Sequence, residues 1–128
     1  MEITVGLKGT ASGVVAPEDT AREVGSGDLM VYATPCMAAL MEGAACEALT
    51  GILPEGKTSV GTELSIHHLS ATPVGLEVHA DAEVTAVEGN TVTFQITAYD
   101  EQGKIGEALH KRVVVTAERF LEKTYRKI

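Results

Sequence analysis

Apolar and polar side chains alternate through the middle of the chain. Leu76, Val78, Ala80, Ala82, Val84 and Ala86 fall on one parity, and Glu77, His79, Asp81, Glu83 and Thr85 on the other. A period of two marks a strand with one buried face and one wet face. Glu88-Gly89-Asn90 reads as a hairpin turn, and Thr91–Tyr99 repeats the pattern with Val92, Phe94, Ile96 and Ala98 inward. Asp100 to Gly103 is a second turn, and Ile105–Val115 completes the series. Upstream, Ser59–His68 puts Val60, Thr62, Leu64, Ile66 and His68 on one face, with His67 on the other beside Glu63 and Ser65. Residues 3–15 read as an opening strand broken by Gly9 and Gly13. The stretch from Ala16 to Asp28, with Pro17, Gly25 and Gly27, reads as a loop or short turn.

Between these strands lies a run of helical character, "ATPCMAALMEGAACEAL", over residues 33–49. Thr34 suits an N-cap and Pro35 the first helical position. The end falls near Leu49–Gly51, with Pro54 beyond. The run is apolar almost all round, which predicts burial on most sides. Thr116–Ile128 reads as a short basic helix capped by Thr116. The whole, 1–128, reads as one α+β domain in which a curved antiparallel sheet wraps one long helix. So apolar a helix calls for a second copy of the chain to finish its burial.

Composition narrows the class. A hydrophobic content of 45% and a charged content of 22% fit a soluble globular chain. No apolar run reaches the roughly 18–20 residues that span a bilayer. The N-terminal residues lack the basic start and apolar stretch of a signal peptide, so a cytoplasmic setting is expected. Cys36 and Cys46 stand roughly 15 Å apart along one helix, too far for a disulfide. Free buried thiols are expected, and no Cys/His spacing suits zinc or another metal. A net charge of -8 argues against nucleic acid. Residues 104–128 nonetheless carry Lys104, Lys111, Arg112, Arg119, Lys123, Arg126 and Lys127 against three acids. That end is either a solvated tail or a docking surface for a phosphorylated ligand.

Three polar side chains fall on apolar faces: Thr34, Glu42 and His68. Each has a plain structural reading, as an N-cap, an exposed stripe with Glu47, and a satisfied core histidine. Together, a carboxylate and an imidazole on facing apolar surfaces suit general acid–base or nucleophilic work, because burial and pairing shift their proton affinities.

The helical run, followed by "SVGTELSIHHLSATPVGLEV" and "GEALHKRVVV", resembles the hotdog-fold thioesterases related to the fluoroacetyl-CoA thioesterase, over about residues 5–125. The resemblance implies a dimeric hotdog fold and hydrolysis of a small acyl-CoA thioester at a site on the dimer interface. Catalytic roles then fall on Thr34, Glu42 and His68. A backbone substrate contact falls on Gly61, and a basic ligand contact on Arg112, beside His110. No cofactor is implied beyond the CoA of the substrate, and no metal. The alternative on the same fold is a non-catalytic acyl-CoA-binding protein. A hotdog dehydratase is a poorer match, for no Asp-x-x-x-x-His pair opens the helix. One stretch departs from the fluoroacetate-specific pattern. Val24–Val31 carries no aromatic residue where those enzymes have an aromatic lid, which points to a different small acyl group.

Overall fold

The computed structural model describes residues 2–128. Five strands form one antiparallel sheet: β1 (Lys8–Val14), β2 (Lys57–His68), β3 (Glu77–Glu88), β4 (Thr91–Asp100) and β5 (Gly103–Thr116), in the order β1-β3-β4-β5-β2. A 3-10 turn (Pro17–Asp19) and a single helical turn, α1 (Ala21–Val24), lead to the long helix α2 (Thr34–Leu49), and α3 (Ala117–Tyr125) follows β5. The α+β architecture expected from the alternation is the one observed.

The core forms where α2 lies on the sheet. Met37, Met41, Ala44, Ala45 and Ala48 face inward-pointing Val78, Ala80, Ala82, Val84, Val92, Phe94, Ile96 and Ala98, all buried. The strand parity read from β3 and β4 therefore holds, apart from Ala86 at the far end. There a register shift between Val84 and Ala86 breaks the alternation, and Ala86 is only half-buried. The other flank of α2 is open. Pro35, Ala39, Gly43 and Cys46 are exposed. All-round burial of the helix is thus not achieved within one chain. The expectation of buried thiols fails for the same reason: both cysteines are free, but Cys36 is half-buried and Cys46 exposed.

Three further expectations are corrected. β1 is a shorter strand than 3–15, and Gly9 does not break it but pairs with Ala82. A β-carbon on Gly9 would collide with the backbone of Ala44 and Ala48, so glycine lets α2 settle directly on β1. Ala33, with φ -74° and ψ 138°, occupies the N-cap of α2, and Thr34 is its first helical residue. Thr116 does hold the N-cap position of α3, but its hydroxyl accepts from Lys57 Nζ at 3.0 Å and makes no capping bond.

The last correction shapes the site. β2 carries a bulge between Gly61 and Glu63, where Thr62 is the extra residue. Gly61 pairs with Arg112, and Leu64, Ile66 and His68 pair with His110, Ala108 and Gly106. Directly paired residues share a face of the sheet. Beyond the bulge, Leu64, Ile66 and His68 point inward as expected. Before it the parity is reversed, so Ser59 and Gly61 face the helix and Val60 does not. At the opposite edge of the sheet, the Thr10 backbone N–H donates to Glu47 Oε1 at 3.0 Å.

Candidate active site

Thr34 stands at the N-terminus of α2 and His68 at the last position of β2. Their side chains meet, with Thr34 Oγ1 2.7 Å from His68 Nδ1. The second ring nitrogen, Nε2, is buried and has no hydrogen-bond partner among the described residues. A core histidine kept for structure has both nitrogens satisfied, and an orphan one is costly. His68 is therefore not the satisfied core residue of the plain reading. Burial lowers its proton affinity below the ordinary imidazole value of 6.5, partly offset by the Ser70 backbone. The ring is thus biased toward its neutral form, the form that can act as a base. A cavity of about 310 Å³ opens beside the pair, lined by Ala21, Ser26, Val31, Leu69 and Ser70 among others. The α2 N-terminus borders this space, and its amides favour negative charge there.

Glu42 belongs to a second cluster. Eight residues after Thr34 place it about 12 Å further along the helix. Its partners lie on β5: Arg112 Nη1 donates to Glu42 Oε2 at 3.3 Å, and His110 Nε2 lies 3.8 Å from the same oxygen. The histidine nearest Glu42 in the chain is therefore His110 and not His68. His110 is fully buried, and its Nδ1 donates to the Glu63 carbonyl at 2.8 Å. That bond leaves Nε2 as an acceptor, and Arg112 Nη1 donates to it at 3.2 Å. Burial lowers the proton affinity of His110, and Arg112 pushes the same way. Gly61 completes the cluster. A β-carbon there would sit 2.5 Å from Glu42 Oε2, 3.2 Å from His110 Cε1 and 3.3 Å from Arg112 Nη1. Only glycine leaves that space open.

Of the residues singled out in the sequence, the fold thus brings Thr34 to His68, and Glu42 to Gly61, His110 and Arg112. It does not bring the two sets together within one chain. Arg112 is 7% exposed, and its guanidinium is turned inward. It is not part of a surface cationic patch with the C-terminal lysines. Sequence reasoning missed Ser59, whose side chain and carbonyl both accept from Arg112. Strand parity counted through Thr62 put Ser59 on the wrong face. The Gly61-Thr62 step is the one local signal, since a glycine inside a strand often marks a bulge.

Comparison with known proteins places the chain in a family. The family model for the fluoroacetyl-CoA-specific thioesterase matches residues 15–118. The chain is 38% identical over 97 residues to the fluoroacetyl-CoA thioesterase of Streptantibioticus cattleyicolor, a match covering 76% of this chain and 70% of that protein. Among solved structures, a variant of the fluoroacetyl-CoA-specific thioesterase FlK superposes with a TM-score of 0.93 at 34% identity, covering 100% of this chain and 99% of that one. The same variant with fluoroacetate and CoA bound gives 0.86 at 35% identity, over 92% and 99%. The curled sheet on a single long helix is the hotdog architecture. By sequence and by fold, the chain belongs to the family of fluoroacetyl-CoA-specific thioesterases.

Proposed function

We propose that the protein is an acyl-CoA thioesterase acting on a small acyl group. The observation that carries this reading is the Thr34–His68 pair at the N-terminus of α2, with an unpartnered imidazole nitrogen beside a cavity. The substrate carbonyl sits at the helix terminus, whose amides stabilise the oxyanion as it forms. The elements of water are added across the C–S bond, which breaks. His68 orients the water and delivers a proton to the departing thiolate. Thr34 orients the imidazole. Glu42 acts either by attacking the carbonyl, giving a transient anhydride that water then opens, or by activating the water directly.

Glu42 is too far along α2 to join its own chain's Thr34–His68 pair. The working unit is therefore a homodimer in which Glu42 of one copy completes the site of the other. The open flank of α2 supports this arrangement. The exposed basic residues Arg119, Lys123 and Lys127 on and after α3 offer contacts for CoA phosphates. Water is the only co-reactant, with no cofactor or metal. Two free cysteines suit a reducing, cytoplasmic setting. Val24–Val31 lacks aromatic residues, so the favoured acyl group differs from fluoroacetyl.

The test is a thiol-release assay over short, branched, aryl and halogenated acyl-CoAs. We expect turnover of at least one class, and a loss of about 100-fold in Glu42→Gln. Binding without turnover across the panel, unchanged by that substitution, would overturn the enzyme reading. Single turnover in ¹⁸O-water bears on the route: label in the Glu42 carboxylate means an anhydride opened at the Glu42 carbonyl, and label in the product acid alone excludes that opening.

A further inference from the structure

The Arg112 guanidinium is held from several directions at once. Its Nε donates to Ser59 Oγ at 2.8 Å, and its Nη2 donates to the Ser59 carbonyl at 3.1 Å. One residue thus takes two of the three guanidinium nitrogens in a fork, leaving Nη1 for Glu42 and His110. Because the guanidinium is planar and rigid, fixing two nitrogens fixes the direction of the third. His110 reinforces this orientation. Its Nδ1–H donates to the Glu63 carbonyl, so Nε2 can only accept from Arg112.

We propose that Ser59 is a positioning residue: its hydroxyl sets the angle of the Arg112 guanidinium and, through Nη1, holds the Glu42 carboxylate over Gly61. Ser59 itself touches neither Glu42 nor the reacting atoms. It reaches Arg112 because the Thr62 bulge turns it inward. Without the hydroxyl, Nε would be left as an unpaired buried donor. The guanidinium would then swing about its remaining bond to the Ser59 carbonyl, and Glu42 would lose the registration that places it over Gly61. A misplacement of this kind lowers the rate of the chemical step more than it weakens binding. The proposal rests on the thioesterase reading for its kinetic consequence but not for its geometric one.

Both consequences are measurable. In Ser59→Ala we expect kcat to fall about tenfold with KM changed less than about twofold, while Ser59→Thr, which keeps the hydroxyl, stays near the parent. Thermal melts of both variants show whether the fold is intact. Independently of turnover, the buried, hydrogen-bonded Arg112 Nε–H is expected to give a slowly exchanging ¹H–¹⁵N resonance, identified by its loss in Arg112→Lys. That resonance is expected to shift and exchange faster in Ser59→Ala and to be retained in Ser59→Thr. An unaltered resonance in Ser59→Ala, or equal loss of kcat in both variants, overturns the positioning role. If the parent hydrolyses no thioester, the functional reading fails while the resonance still decides the role of Ser59.

Discussion

Removing the Thr34 hydroxyl leaves His68 with neither ring nitrogen held, so its orientation is lost along with its partner. Thr34→Ala should lower kcat/KM by about 100-fold, whereas Thr34→Ser, which keeps the oxygen, should stay within about tenfold. Gly61→Ala tests the second cluster. The new methyl must displace the Glu42 carboxylate, because Oε2 stands 2.5 Å from the place it would occupy. Activity should fall steeply while the melting temperature moves by only a few degrees, since the Glu42 side chain is 42% exposed and has room to move aside. Proton uptake gives a third test. His68 and His110 both sit below their ordinary value of 6.5, chiefly through burial. As pH falls below about 6.5, the unfolded chain binds protons that the folded one refuses. The stability that these histidines contribute is full above that value and is lost progressively as pH drops toward their folded values. Urea midpoints taken from pH 8 down to pH 5 should fall in that window, and the fall should be smaller in His110→Gln.

Strands β3 and β4 were legible because both run against a flat apolar helix face, which imposes strict alternation on Val78 to Val84 and on Val92 to Ala98. β2 was legible only from Leu64 onward. Its bulge places an extra residue, Thr62, without any apolar marker, and a single insertion reverses the parity of everything before it. Thr34, Glu42 and His68 stood out as polar residues on apolar faces, and Gly61, His110 and Arg112 followed from the family resemblance, whereas Ser59 had neither signal and the reversed parity put it on the wet face. Glu42, expected opposite His68, is found beside His110 because eight helical residues carry it about 12 Å from the start of α2. The start of α2 was displaced by one residue because Thr34 uses its hydroxyl on His68, leaving Ala33 to turn the chain. Gly9 shows the same limit of local reading, looking like a strand breaker while serving as the place where helix and strand touch. Gly9→Ala should cost about 3 kcal/mol in urea denaturation, since backbone atoms of Ala44 and Ala48 cannot yield as a side chain would.

At the scale of the molecule, Thr34–His68 and the Glu42 cluster lie at different heights along α2, and the proposed homodimer would bring them together. Mixing makes this testable. Thr34→Ala and Glu42→Gln chains, each inactive alone, should recover activity when unfolded and refolded together if the halves come from different copies. If each chain assembled its own site, the mixture would stay inactive. The two edges of the sheet are also unlike. The outer amide of Thr10 on β1 is already occupied by Glu47 of the helix, which blunts that edge against further pairing. Strand β2, twelve residues long, has no amide so taken among the described residues, though its Ser59 and Glu63 carbonyls accept from Arg112 and His110. If a second copy joins along β2, each outer end of the pair is a blunted β1, and growth by strand addition would then stop at two. Glu47→Ala unlocks the other end, and light scattering should show it extending into open ribbons as concentration rises while the parent stays of fixed size.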